Sequence, residues 1–90
     1  MKQDVKGKEL LHQIIDETPE DLKTQLCYSD AIAIKLEGML KQRSMSQRDL
    51  ARSTGKTEAE VSRWLGGTHN FTLRTLAKIS IVMGEDLICI

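Results

Sequence analysis

Ninety residues suffice for one domain and leave no room for a second independent core. Lysine and arginine number 13 and so do the acids, and a formal net charge of zero argues against indiscriminate binding to nucleic acid. With one Trp, one Tyr and one Phe, the core must be built from Leu, Ile, Val, Met and Ala, which favours helices packed on helices over a sheet sandwich.

Other classes drop out on simple grounds. No apolar stretch comes close to the ~20 residues of a membrane span. Lys2, Asp4, Lys6, Lys8 and Glu9 interrupt any signal-peptide-like run, so a soluble, cytoplasmic protein is expected. Cys27 and Cys89 have neither metal-ligand spacing nor a disulfide framework and read as reduced, half-buried thiols. Two His, no carboxylate pair at a useful spacing, no Gly-rich phosphate loop and no nucleophile with a base argue against an enzyme and imply no cofactor or metal. The charges, however, are unevenly spread. Residues 1–34 carry four Lys against seven acids, net −3; residues 35–78 carry nine Lys or Arg against four acids, net +5; residues 79–90 are net −2. A basic centre of this kind suits phosphate contact.

Residues 1–8 are polar and are expected to fray. Over residues 8–16 the pairs Leu10-Leu11 and Ile14-Ile15 recur four apart, the stripe of a short helix. Thr18-Pro19-Glu20-Asp21 reads as a cap, a first-turn proline and two acids opening a second helix that ends near Cys27, with Leu22 and Leu26 on one side. Residues 1–28 thus form an acidic helical extension whose apolar stripes must bury against something. The host domain comes first, then a second subunit or a partner protein.

Ser29 is placed as the cap of a third helix running to Arg43, with Ile32, Leu36, Met39 and Leu40 facing the core. Ser46 then caps another helix with Asp49 as its reciprocal partner, and Met45 and Leu50 form a hydrophobic staple. Gly55 follows as the left-handed stop, and a second capping box, Thr57 to Glu60, opens the next helix. Only Lys56 separates glycine from cap, so the axes must turn sharply. Small Ala51 allows close approach, and Leu50, Val61, Trp64 and Leu65 supply the apolar contact. This is the grammar of a helix-turn-helix over Ser46–Leu65.

Gly66 and Gly67 stop the second helix of the motif. Thr72 caps a further helix to Met83, with Phe71 and Leu76 as staple and Gly84 as stop. Its inner face is read as Leu73, Leu76, Ala77, Ser80 and Met83, leaving Ile79, Ile81 and Val82 on a second face. Residues 85–90 read as a short strand from their β-branched content. A lone strand has unpaired backbone groups, so pairing with a second subunit is expected, together with contact through Ile79, Ile81 and Val82. The resulting domains are an extension over 1–28, a helix-turn-helix domain over 29–84 and a strand over 85–90.

The spacing Gln47, Ala51, Gly55, Val61, Ser62, Trp64 resembles the phage-repressor or Xre type of helix-turn-helix family, over roughly residues 30–84. The segment Trp64-Leu-Gly-Gly-Thr-His-Asn-Phe-Thr-Leu is similar to that family's exit loop and following helix. The resemblance implies an all-α, lambda-repressor-like helical bundle that binds double-stranded DNA. It further implies phosphate contacts from Ser46 and Gln47 and from Thr68, His69 and Asn70. A strand in place of the fifth helix many members carry is a departure.

An α-helix fits the major groove, and in a helix-turn-helix the second helix enters N-terminal residues first. Thr57, Glu58, Ala59, Ser62 and Arg63 are therefore the base-contacting candidates. Arg63 stands first, because a guanidinium pairs bidentately with guanine. Arg43, Arg48 and Lys56 stand close enough to add charge against phosphate. Glu58 departs from the family's usual chemistry, and either accepts from cytosine or only weakens DNA binding. The leading reading is a sequence-specific repressor binding a palindromic operator as a homodimer. An antitoxin that binds a toxin protein and represses its own operon is the alternative. A protein-interaction module without DNA binding has Glu58 as its only support.

Overall fold

The computed structural model describes residues 18–89, so the expected helix over residues 8–16 lies outside the described residues. Four helices follow in order: α1 (Glu20–Gln42), α2 (Gln47–Thr54), α3 (Glu58–Leu65) and α4 (Leu73–Met83). The all-α expectation holds. None of these helices is long and apolar enough to cross a membrane.

The expected break between Cys27 and Ser29 is absent: α1 runs unbroken through both. Ser29 does not cap a helix. Its side chain is buried, and its hydroxyl donates to the His69 carbonyl. Local chemistry reads a serine before an apolar stripe as a cap, but here a partner forty residues away takes the hydroxyl. Leu22, Leu26, Ser29, Ala33 and Leu36 then share one helical stripe, which needs no interruption. Pro19 stands just before the first helical residue, with φ −57° and ψ 146°, so the chain enters α1 extended. Cys27 and Cys89 are exposed thiols, not half-buried ones.

α1 ends in a left-handed residue that is not glycine. Ser44 has φ 53°; its N–H donates to Lys41 and that of Met45 to Leu40. This is the paired hydrogen-bond pattern of a Schellman stop. Gly55 repeats it at the end of α2, with φ 72° and Lys56 donating to Ala51. The apolar contact that accompanies such stops is present: Leu40 is buried in the core and Met45 packs against it.

The core gathers Ile32, Leu36, Met39 and Leu40 of α1, Leu50 and Ala51 of α2, Val61 and Trp64 of α3, Leu76, Ile79 and Met83 of α4, and Leu87 beyond it. Thr54 is also fully buried, which costs little because its hydroxyl donates back to the Leu50 carbonyl at 2.8 Å. Phe71 and Leu76 pack as the expected staple, under the Thr72 cap, whose hydroxyl accepts from the Thr75 N–H.

The face of α4 differs from expectation. Ile79 is fully buried, whereas Leu73 is 75% exposed and Ala77 lies open beside it. Leu73, Leu76, Ala77, Ile79, Ile81, Val82 and Met83 leave this short helix apolar on most sides, so periodicity could not set its phase. The residues after Met83 set it. Gly84 turns the chain at φ 71°, the Leu87 N–H donates to the Ser80 hydroxyl, and Leu87 enters the core. No strand forms over residues 85–89. Ser80, Leu87 and an Arg43–Glu85 ion pair at 3.1 Å hold this segment, and these contacts override β-branched composition.

Candidate nucleic-acid interface

α2 and α3 are both opened by reciprocal caps. The Ser46 hydroxyl accepts from the Asp49 N–H, and the Asp49 carboxylate accepts from the Ser46 N–H at 3.0 Å. Thr57 and Glu60 repeat the arrangement on α3. The backbone N–H bonds hold both carboxyls below the usual acid range, with the hydroxyls assisting. The caps settle where α2 and α3 begin, and Gly55 settles the angle between them.

On α3, Val61 and Trp64 are buried and Leu65 half-buried. Glu58, Ala59, Ser62 and Arg63 are exposed and share the opposite face, three and four residues apart. Four of the five base-contacting candidates therefore lie on one outward surface. Thr57 is more constrained. Its oxygen accepts from the Glu60 N–H and its hydroxyl proton goes to Glu60 Oε1, so the methyl is what it has left to offer.

The phosphate candidates divide. Gln47 is exposed as the first residue of α2. Ser46 uses its oxygen as an acceptor in the cap, which leaves its O–H to donate. Arg48 is exposed, but its Nε donates to Glu58 Oε2 at 3.2 Å across the turn. Lys56 is half-buried in that turn. Arg43 is drawn elsewhere: it donates to Glu85 and to the Met39 carbonyl at 3.3 Å. Arg52, exposed one turn beyond Arg48, adds a cation that sequence reasoning left out. Its signal was present in the i, i+4 spacing from Arg48.

In the exit loop, Thr68 and Asn70 are exposed and His69 is half-buried. The His69 ring meets Phe71 edge-on, with centroids 4.9 Å apart at 88°. Its carbonyl is the one held by Ser29. Gly67 passes so near α1 that a Cβ there would lie 3.1 Å from Asp30 Oδ1, at φ +91°. The loop that carries three phosphate candidates is thus clamped to α1 by Ser29. No spacing rule reveals that contact, because it depends on residues forty apart.

The profile of the Cro/C1-type HTH DNA-binding domain matches residues 35–87. No curated protein and no solved structure matches the chain. The matched span runs from within α1 to Leu87, and so takes in the core except Ile32, both caps, the turn and the outward face of α3. The chain therefore belongs to the family of Cro/C1-type helix-turn-helix DNA-binding domains.

Proposed function

We propose that this DNA-binding regulator is a sequence-specific repressor that places α3 in the major groove of a palindromic operator, acting as a homodimer in the cytoplasm. The observation that carries the reading is the division of α3. Val61 and Trp64 anchor one side in the core, while Glu58, Ala59, Ser62 and Arg63 are exposed on the other, with Glu58 paired to Arg48. A helix held so firmly presents fixed side chains to base edges, as direct readout requires.

In this reading Arg63 pairs with guanine, and Ala59 with the Thr57 methyl meets a thymine methyl. Gln47, Ser46 and the N-terminus of α2 hold phosphates, with Thr68 and Asn70 gripping the backbone from the exit loop. Arg48 and Arg52 supply charge. The homodimer is supported by a narrow apolar stripe on the outside of α4, made by Leu73, Ala77 and the 83% exposed Ile81. Two copies would set their α3 helices about one DNA turn apart, roughly 34 Å.

Selection of bound DNA from a random pool tests the whole reading. Enrichment of a two-fold symmetric consensus is the expected result. Recovery of a single asymmetric half-site would remove the dimer, and recovery of no consensus would remove sequence-specific binding.

A further inference from the structure

The exit loop between α3 and α4 has little backbone scaffolding of its own. Among the described residues, no backbone–backbone hydrogen bond reaches residues 67–71. Phe71 packs on the core at one end, and Gly67 passes close to Asp30 at the other. Between them the Ser29 hydroxyl ties the loop to α1 by donating to the His69 carbonyl.

A serine inside a helix has an easier partner, the carbonyl four residues earlier. Thr24 of α1 takes that course with Glu20 at 3.0 Å, and Ser80 of α4 with Leu76 at 2.8 Å. Ser29, only 3% exposed, reaches across to another segment instead. The bond fixes more than one atom. The His69 carbonyl and the Asn70 N–H belong to one planar trans peptide, in which the two groups point in opposite directions. With the carbonyl drawn inward to buried Ser29, the Asn70 N–H points away from α1. Asn70 is exposed, and among the described residues its N–H has no hydrogen-bond partner. A fixed, outward-aimed backbone donor of this kind suits a phosphate oxygen.

We infer that Ser29 is a positioning residue for DNA binding, which holds the His69–Asn70 peptide so that the Asn70 N–H donates to a backbone phosphate. The inference rests on the DNA-binding reading proposed above. Ser29 lies upstream of the residues 35–87 that match the family, so this control comes from the part of α1 before the matched span.

The test compares wild type with Ser29→Ala, which keeps α1 helical because alanine is the stronger helix former. Fluorescence anisotropy titrates both against the DNA recovered by selection and its single-base variants, at a temperature where circular dichroism shows both proteins folded. Ser29→Ala should bind about three- to tenfold more weakly, and by the same factor on every site, because a phosphate contact carries no sequence information. In amide-resolved NMR spectra, the Asn70 amide proton should move downfield when wild type binds DNA, and Ser29→Ala should lose that shift. Equal affinities, a loss confined to particular base variants, or a downfield shift that survives the substitution would overturn the inference and leave the proposed function in place. A wild-type Asn70 amide unmoved by bound DNA would do the same, whatever the variant does. Failure of wild type to bind any recovered DNA would remove the proposed function and this inference together.

Discussion

Arg48 Nε and Glu58 Oε2 stand 3.2 Å apart, joining the first turn of α2 to the first residue of α3 across the helix-turn-helix. Both side chains are well exposed, so the pair adds little to stability. Its consequence lies in the proposed binding mode, where Glu58 offsets a cation that would meet phosphate. Glu58→Gln should tighten binding to every DNA sequence by roughly 0.5–1 kcal/mol and steepen the salt dependence. In that background Arg48→Ala should cost more affinity than it does in the native chain. A change in base preference without general tightening, measured by titration at two salt concentrations, would instead make Glu58 a reader of cytosine.

Two left-handed stops with the same hydrogen bonds carry different residues, and substitutions there should have opposite signs. Ser44→Gly relieves a side chain at φ 53° and should stabilise by about 0.5–1 kcal/mol. Gly55→Ala should destabilise by about 1–2 kcal/mol, and Gly55→Val by more, although nothing crowds a Cβ there within 4 Å. Urea unfolding of the three variants checks both signs. A stabilising Gly55→Ala would mean that φ does not govern the turn.

The caps should make the fold sensitive to acid. Asp49 and Glu60 have carboxyls held below their ordinary range by the Ser46 and Thr57 N–H groups. A depressed acid contributes stability that is complete above its unfolded pKa and is lost as pH falls through the folded value. The loss should therefore begin near pH 4 and deepen below it. Asp49→Asn and Glu60→Gln should flatten that acid limb, while Ser46→Ala should cost about 1 kcal/mol near neutrality. Unfolding curves at about pH 7 and about pH 3 decide it; an acid limb unchanged by either carboxyl substitution contradicts the cap assignment.

Neighbouring isoleucines on α4 give a test of its orientation. Ile79→Ala removes a fully buried side chain and should cost about 2–5 kcal/mol, whereas Ile81→Ala at 83% exposure should change stability by less than about 0.5 kcal/mol. Similar losses at both would place the face wrongly. A loss of dimer in Ile81→Ala, read by light scattering, would support the apolar stripe as the subunit contact.

The parts of this protein that were legible in sequence are those whose physics is local. Ser46 with Asp49, Thr57 with Glu60 and Gly55 each act over a few residues, so their positions in the chain reveal them. Trp64 and Val61 followed from the same helix period that left Ser62 and Arg63 outside. What escaped depends on contacts between distant residues. Ser29 reads as a cap until His69 is beside it, and no local rule pairs Arg43 with Glu85. The phase of α4 and the absence of a strand after Gly84 both rest on Leu87 entering the core.

The central claim is that α3 reads bases while the start of α2 only positions the domain, and one titration series tests it. Wild type, Gln47→Ala and Arg63→Ala are each titrated against the selected site and its single-base variants. Arg63→Ala should lose roughly 1–3 kcal/mol on the preferred site and become indifferent to one base position. Gln47→Ala should weaken every site about equally, because phosphates carry no sequence information. If both variants lose affinity uniformly across the panel, Arg63 does not read a base and the account of α3 fails.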